Sequence, residues 1–296
     1  MKCLVYCILR DEELPDEVLP VGIDGNKVSL TSDDGLAAAF SAIDDACDPF
    51  FSTGGASVSR ATAYASVIEA LHRKCTVLPL RMGCLLPSEE RVTALLRERR
   101  EEFLASLDEV QGCVEMVLHL QGTQPSQECL RRAGNPPLRA ASPSDPGRSP
   151  GIAHMVALRR RYEQVDAAML SAQAVAEECR AAFEGLFVKW KAEYSRGGGH
   201  SCLPSVDDRP EYLSPVTMLR LFFLVKRERQ QSFVGVYQDL VRKGDAPLCG
   251  RPTTLPDDRS LRGASPFLSG PWPPHNFVQC EHHGIASTLR EQLPWK

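Results

Sequence analysis

From Ala61 to Leu120 the chain reads ATAYASVIEALHRKCTVLPLRMGCLLPSEERVTALLRERREEFLASLDEVQGCVEMVLHL, the stretch with the most regular spacing of apolar residues. Near its start, apolar residues recur at i, i+3, i+4 and i+7, which is typical of a helix that buries one side. Residues 76–82 and 113–120 instead alternate in the manner of strands, and 113–120 is predicted to be half-buried. The helical stripe consists of Tyr64, Val67, Ile68 and Leu71.

A second helix is predicted between these two strands. Ser88 is followed by two glutamates, which makes it a favourable N-cap with acidic residues in the first turn. Apolar residues at helical spacing continue to Val110, so we expect one long amphipathic helix. Pro79 has no backbone N–H, which favours a sheet edge or a strand end for the first strand.

The N-terminal residues add further strands to this pattern. Lys2–Leu9 is apolar on both faces and is predicted to be a central strand. Val21–Thr31 has Asp24-Gly25-Asn26 between apolar flanks, which predicts a tight hairpin turn, whereas Leu36–Ile43 fits either a strand or a short helix. We therefore expect residues 1–121 to form an α+β domain of modified ferredoxin-like layout, a small antiparallel sheet with helices on one face.

A composition change marks the predicted domain boundary. Residues 122–150 are rich in Pro, Ser, Gly and Arg without periodicity, which predicts a flexible linker. Residues 151–279 are expected to form a second α+β domain, and residues 280–296 a tail. Within the second domain, a strand is expected at Thr217–Arg227 and a helix from Ser232. The apolar stripe of this helix consists of Phe233, Val236, Tyr237, Leu240 and Val241.

The second domain is predicted to begin with a long helix or a helical hairpin between Ala153 and Tyr194. Apolar residues there step by three and four, an a/d seam that must be covered either within the domain or by a partner. The seam consists of Met155, Leu158, Tyr162, Val165, Met169, Ala172, Ala176, Cys179, Phe183, Leu186 and Trp190.

The closing segment Gly270–Val278 reads GPWPPHNFV and is chemically unusual. Its prolines fix φ and withhold N–H groups, so we expect an extended segment outside any strand ladder. Trp272 could then fill the core of the second domain or project as a rigid aromatic contact for a partner. The candidate contact residues are Trp272, Pro273, Pro274 and Phe277, with Tyr162, Phe183 and Trp190 from the seam.

No catalytic, cofactor or metal site is predicted. The sequence has no nucleophile elbow, Gly197–Gly199 lacks the strand-to-helix context of a phosphate loop, and Cys280, His282 and His283 lack a complete ligand set. The eleven cysteines are scattered, which favours reduced, mostly buried thiols. A net charge of −4 favours neither nucleic acid nor a membrane surface, and no export or spanning segment is evident, so a cytoplasmic protein is expected.

VLPLRMG at 77–83, VEMVLHL at 114–120 and GPWPP at 270–274 together resemble the gas vesicle protein F/L family, GvpF and GvpL, over roughly residues 1–278. The chain departs from the family pattern at Tyr64, Met82, Cys84 and His275, so no single-residue role is transferred. The resemblance implies a non-enzymatic accessory role in gas vesicle assembly, with the shell protein GvpA and other accessory proteins as partners. It also implies a location at the gas vesicle. The alternative is a ferredoxin-like small-ligand binder or enzyme, which a pocket with convergent polar groups would indicate.

Overall fold

The computed structural model describes residues 1–13, 19–44, 58–121, 172–196, 216–243 and 265–278, together with positions 155, 159 and 170. The chain divides into two compact units. The first contains Met1–Glu115, Leu224–Arg227 and Gly270–Lys296, and the second contains Met116–Phe223 and Glu228–Ser269. Helices and strands occur in both, which confirms the α+β class.

The first sheet is built around the N-terminal strand. The order β2-β3-β1-β4 joins β1 (Lys2–Arg10), β2 (Val28–Asp33), β3 (Leu36–Ile43) and β4 (Val77–Pro79), while β5 (Leu85–Leu86) also pairs with β1. The β1 strand is buried on both faces and has antiparallel neighbours on both sides, so the predicted central strand is confirmed. Pro79 lies in β4 at the end of this order, as its missing N–H predicts.

The hairpin of the first sheet is placed differently from the prediction. β2 and β3 pair around Asp34 and Gly35, whose φ angles of 45° and 84° suit a tight turn between antiparallel strands. The segment Ile23–Gly25 instead forms a short 3₁₀ turn before β2. The sequence has two Asp-Gly pairs that suit a hairpin turn, at 24–25 and at 34–35. The pairing of Val28–Asp33 with β3 places the hairpin turn at the second pair.

Helices lie on both faces of the first sheet, which corrects the expectation of helices on one face. Leu30 of β2 packs in the core cluster that contains the stripe of α1 (Val58–His72). Its neighbour Thr31 places Oγ1 3.2 Å from Oγ1 of Thr93, in the next helix. Because successive strand residues point to opposite faces, α1 and that next helix cover opposite sides.

The predicted long second helix is two helices. Ser88 is the N-cap of α2 (Glu89–Glu98), and α3 (Arg100–Val110) follows. Arg99 between them has φ −116° and ψ 23°, outside the helical range. On either side of the break, α2 contacts β2 and β3 as well as β1 and β5, whereas α3 contacts β1 and β4.

The second sheet has the order β7-β8-β6-β9, with β6 (Cys113–Gln121), β7 (Lys189–Arg196), β8 (Val216–Lys226) and β9 (Ser265–Trp272). The β6 strand was predicted for the first sheet, yet its hydrogen-bonded neighbours are β8 and β9. It was also predicted to be half-buried, whereas both faces are buried from Cys113 to Leu118. Alternation identifies a strand but not its sheet.

The sequence predicted that the helical seam continues to Trp190. In the structure the helix α4 covers residues 172–182 and ends before that position. A turn follows at 183–185, where Gly185 has φ 78°, and β7 then begins. Val188, Trp190, Ala192 and Tyr194 alternate with polar residues, a strand pattern that the helical spacing obscured. Within α4 the seam residues Ala172, Ala176 and Cys179 are buried, as is Phe183 just after it.

An aromatic cluster forms the described core of the second unit. The Phe183 ring stacks on Phe233 of α5 (Gln230–Lys243) with centroids 4.2 Å apart, and Phe223 of β8 lies 5.3 Å from both rings. The α5 stripe is less buried than predicted, because Phe233 alone of its five members is fully buried and Val241 is 41% exposed.

Candidate functional site

The candidate site is the closing segment, whose first residues belong to β9. The sequence predicted that GPWPP stays outside a strand ladder, but Pro271 and Trp272 are the last residues of this strand. β9 stands at one end of the sheet order, beside β6. Proline is tolerated in an edge strand because N–H groups on its outer side have no ladder partner to lose.

The closing segment divides into a buried part and an exposed residue. Pro273 and Pro274 are buried and Phe277 is only 3% exposed, whereas the Trp272 residue is 39% exposed. The two prolines and Phe277 are therefore buried, whereas Trp272 is partly accessible to solvent. Residues 270–278 belong to the first unit.

A hydrogen-bonded turn follows Trp272. The backbone N–H of His275 donates to the carbonyl of Pro273 at 2.7 Å, and that of Phe277 donates to Pro274 at 3.2 Å. The carboxylate of Glu115 on β6 accepts from the Asn276 backbone N–H at 2.8 Å and from its side-chain Nδ2 at 2.7 Å. Glu115 is 3% exposed, so a buried carboxyl group holds this turn.

Basic groups surround the end of α1 in the same unit. His72 is buried, and Arg227 donates to its backbone carbonyl. Burial, the Arg227 guanidinium and His275 lower the pKa of His72 from 6.5 to about 4. The imidazole is thus held neutral at physiological pH, which suits a structural ring better than a proton carrier.

The remaining candidate residues are Phe183, Trp190 and Tyr162, of which the structure describes the first two. Phe183 is part of the aromatic core, and Trp190 is half-buried on β7. Tyr162 lies outside the described residues, as do Gly197–Gly199, Cys280, His282 and His283 and the predicted linker at 122–150. Among the described candidates, Trp272, Pro273, Pro274 and Phe277 lie within one short segment of six residues, 272–277.

The described ranges contain no group of three or more His, Cys, Asp or Glu side chains that could hold a metal ion. The cysteines at 3, 7, 75, 84, 113 and 179 are free thiols, and all but Cys84 are buried, in agreement with the prediction for these positions. Among the described helices, none has the length and apolar character that a membrane crossing requires.

Sequence reasoning missed Glu115, Asn276, His72 and Arg227 as parts of this site. Glu115 was visible as a carboxylate inside the apolar run VEMVLHL, a position that requires a hydrogen-bonding partner once the strand is buried on both faces. Its partner lies 161 positions away, and periodicity carries no information at that separation.

Comparisons with known proteins agree on one group. A family model described as gas vesicle synthesis protein GvpL/GvpF matches residues 2–250. The gas vesicle protein F of Streptomyces sp. (strain CB03234) is 24% identical over 283 residues, which cover 94% of this chain and all of that protein. The family match ends before the closing segment, so it is independent of GPWPP.

Two crystal structures share the fold. GvpF from Anabaena sp. PCC7120 superposes with a TM-score of 0.61 at 16% identity, covering 95% of this chain and 98% of that one. GvpF from Microcystis aeruginosa gives a TM-score of 0.62 at 17% identity, with 94% and 99% coverage. At these identities the superpositions establish the fold alone.

Proposed function

Because the chain belongs to the GvpL/GvpF family of gas vesicle synthesis proteins, we propose that it is a non-enzymatic accessory protein of gas vesicle assembly. It binds the shell protein GvpA and other accessory proteins, in the cytoplasm and at the growing vesicle. The observation that carries the proposal is Trp272, a residue 39% exposed in a proline-rich segment whose next two residues, Pro273 and Pro274, are buried.

The physical case rests on preorganisation. Tryptophan is enriched among the residues that dominate binding energy at protein interfaces. A side chain held by a rigid backbone loses little conformational entropy when a partner covers it, so more of the contact energy appears as affinity. The prolines on both sides of Trp272 restrict the backbone in this way.

Other exposed apolar side chains occur in the second unit. Phe267 of β9 is 62% exposed, Val188 before β7 is 48% exposed, and Met155 and Leu170 are 65% and 66% exposed. Met155 belongs to the seam that the sequence predicted to need a cover. An accessory protein with such surfaces could shield the apolar surface of a shell subunit until that subunit joins the wall.

Co-expression of the tagged full chain with GvpA tests the proposal. We expect GvpA to co-purify with the wild-type protein and Trp272→Ala to lose most of this retention. Val58→Ala is the matched control, because Val58 is 83% exposed in α1, away from the closing segment in sequence. Equal retention of GvpA by all three proteins would remove Trp272 from the contact.

Deletion of the gene tests the role in assembly. Loss of vesicles, restored by the wild-type gene but not by the Trp272→Ala gene, is the expected result. The alternative of a small-ligand binder or enzyme predicts instead that vesicles form normally without the chain and that no shell protein co-purifies with it.

A further inference from the structure

We propose that Glu115 is a positioning residue for the contact surface, because its buried carboxylate holds the turn after Trp272 and thereby keeps the indole presented. The expected effect on GvpA binding rests on the proposed function. The structural part of the inference, that Glu115 controls the environment of Trp272, stands on the hydrogen bonds of the closing turn.

The first step is the burial of the carboxylate. Glu115 lies in a strand whose neighbouring residues are buried on both faces, and it is itself 3% exposed. An ionised group in such a place is strongly unfavourable unless hydrogen bonds replace its water. An apolar residue would fill the same strand position without that requirement, so packing does not explain why a glutamate stands there.

The second step is the geometry of the two bonds. Each carboxylate oxygen of Glu115 accepts one N–H of Asn276, one from the backbone and one from the side chain. Charge-assisted paired bonds of this kind fix orientation as well as distance. Because one of them comes from the backbone, the carboxylate fixes the path of the chain at residue 276 and not only a side chain.

The third step is the position of Trp272 between two anchors. On its N-terminal side it ends β9, which pairs with β6, and on its C-terminal side Asn276 is bonded to Glu115 of the same β6. Only Pro273, Pro274 and His275 separate the indole from the second anchor. Release of that anchor removes a constraint that the backbone bonds within the turn do not supply, so we expect the environment of Trp272 to change.

The chemistry of the pair allows a test by exchange. Asn276→Asp places two carboxylates against each other and breaks the side-chain bond. Adding Glu115→Gln restores both bonds, since the new amide donates to the aspartate and its carbonyl accepts the backbone N–H. Glu115→Ala removes both bonds. Val67→Ala is the control for lost stability, because it creates a cavity in the core of the first unit and leaves the Glu115–Asn276 pair intact.

The direct readout is Trp272 fluorescence in a Trp190→Phe/Trp295→Phe background, which leaves one of the three tryptophans. We expect altered emission and acrylamide quenching in Glu115→Ala and Asn276→Asp, and wild-type values in the exchanged pair and in Val67→Ala. If Glu115→Ala and Asn276→Asp leave Trp272 emission and quenching unchanged, or if the exchanged pair does not restore them, the positioning role is wrong.

GvpA retention is then measured on the same variants. We expect about a three- to tenfold loss of affinity in the two broken variants and recovery in the exchanged pair, the scale of losing one preorganised side chain. If Trp272→Ala retains GvpA, the proposed contact fails while the fluorescence result still decides the role of Glu115. If Trp272→Ala loses GvpA but the broken variants retain it, positioning by Glu115 is overturned and the contact stands.

Discussion

Arg227 lies against the imidazole of His72, with its Nη2 atom 3.2 Å from Nε2 and 3.3 Å from Nδ1, and it also donates to the His72 carbonyl. Its own backbone N–H donates to Gly112 at 2.9 Å. A cation in contact with a buried imidazole opposes protonation of the ring, so this arrangement favours neutral His72.

The first prediction concerns pH. Because the folded-state pKa of His72 is about 4 and its ordinary value is 6.5, the unfolded chain binds a proton that the folded chain does not. The stability that the protein gains from neutral His72 is fully present above pH 6.5 and is lost as the pH falls toward 4. It amounts to up to about 3 kcal/mol of unfolding free energy. Denaturant unfolding between pH 7 and 4 measures it.

His72→Gln separates this effect from the titration of carboxylates. The variant cannot take up the proton, so its unfolding free energy is expected to fall less steeply over the same pH range. Parallel curves for the wild-type and variant proteins would contradict the assignment to His72.

Tyr64 is predicted to stabilise the first unit through its hydroxyl. The Oη atom lies 3.0 Å from the carbonyls of Val5 and Leu80 and 3.3 Å from that of Tyr6, and it is buried. Tyr64→Phe leaves these carbonyls without that donor and is expected to lower the unfolding free energy by about 1–2 kcal/mol. Thermal unfolding against wild type measures the loss.

Tyr237→Phe is the control for Tyr64→Phe. Its hydroxyl donates to one part-buried carbonyl, that of Pro266, at 3.1 Å. Because water can replace a part-buried partner, the loss should be smaller. An equal loss in both variants would show that burial does not determine the effect.

Two glycines are predicted to respond to alanine with opposite signs. A Cβ on Gly22 would lie 2.3 Å from the hydroxyl oxygen of Tyr6 and 2.7 Å from Oγ of Ser41, which are themselves hydrogen-bonded. Gly22→Ala should therefore destabilise by about 1–3 kcal/mol. Gly235 in α5 has open space at that position, so Gly235→Ala should stabilise by about 0.5–1 kcal/mol. Denaturant midpoints decide both signs.

The thiols are predicted to differ in reactivity. Burial raises the pKa of Cys75 to about 11 and that of Cys179 to about 12, whereas Cys84 is only partly buried. Alkylation of the native protein at pH 8 should modify Cys84 about a hundredfold faster than either buried thiol. Peptide mass spectrometry resolves the sites, and uniform modification in urea is the control. Early modification of Cys75 in native buffer would contradict its burial.

The apolar spacing along the chain was sufficient to predict several elements. The α1 stripe, the central β1 strand and the edge position of Pro79 follow from local chemistry, because helix and strand periods and the missing proline N–H act within a few residues. The break at Arg99 and the end of α4 were missed, since packing on the sheets interrupts a pattern that favours longer helices.

The closing segment shows the same division. The sequence by itself determined that GPWPP is stiff and carries an aromatic residue, and it placed a carboxylate in the apolar strand that became β6. Only the tertiary structure decided that β6 joins the second sheet, that Trp272 is exposed while Phe277 is buried, and that Glu115 meets Asn276. Periodicity records which side of an element is apolar, whereas the identity of the element that covers it depends on contacts between distant parts of the chain.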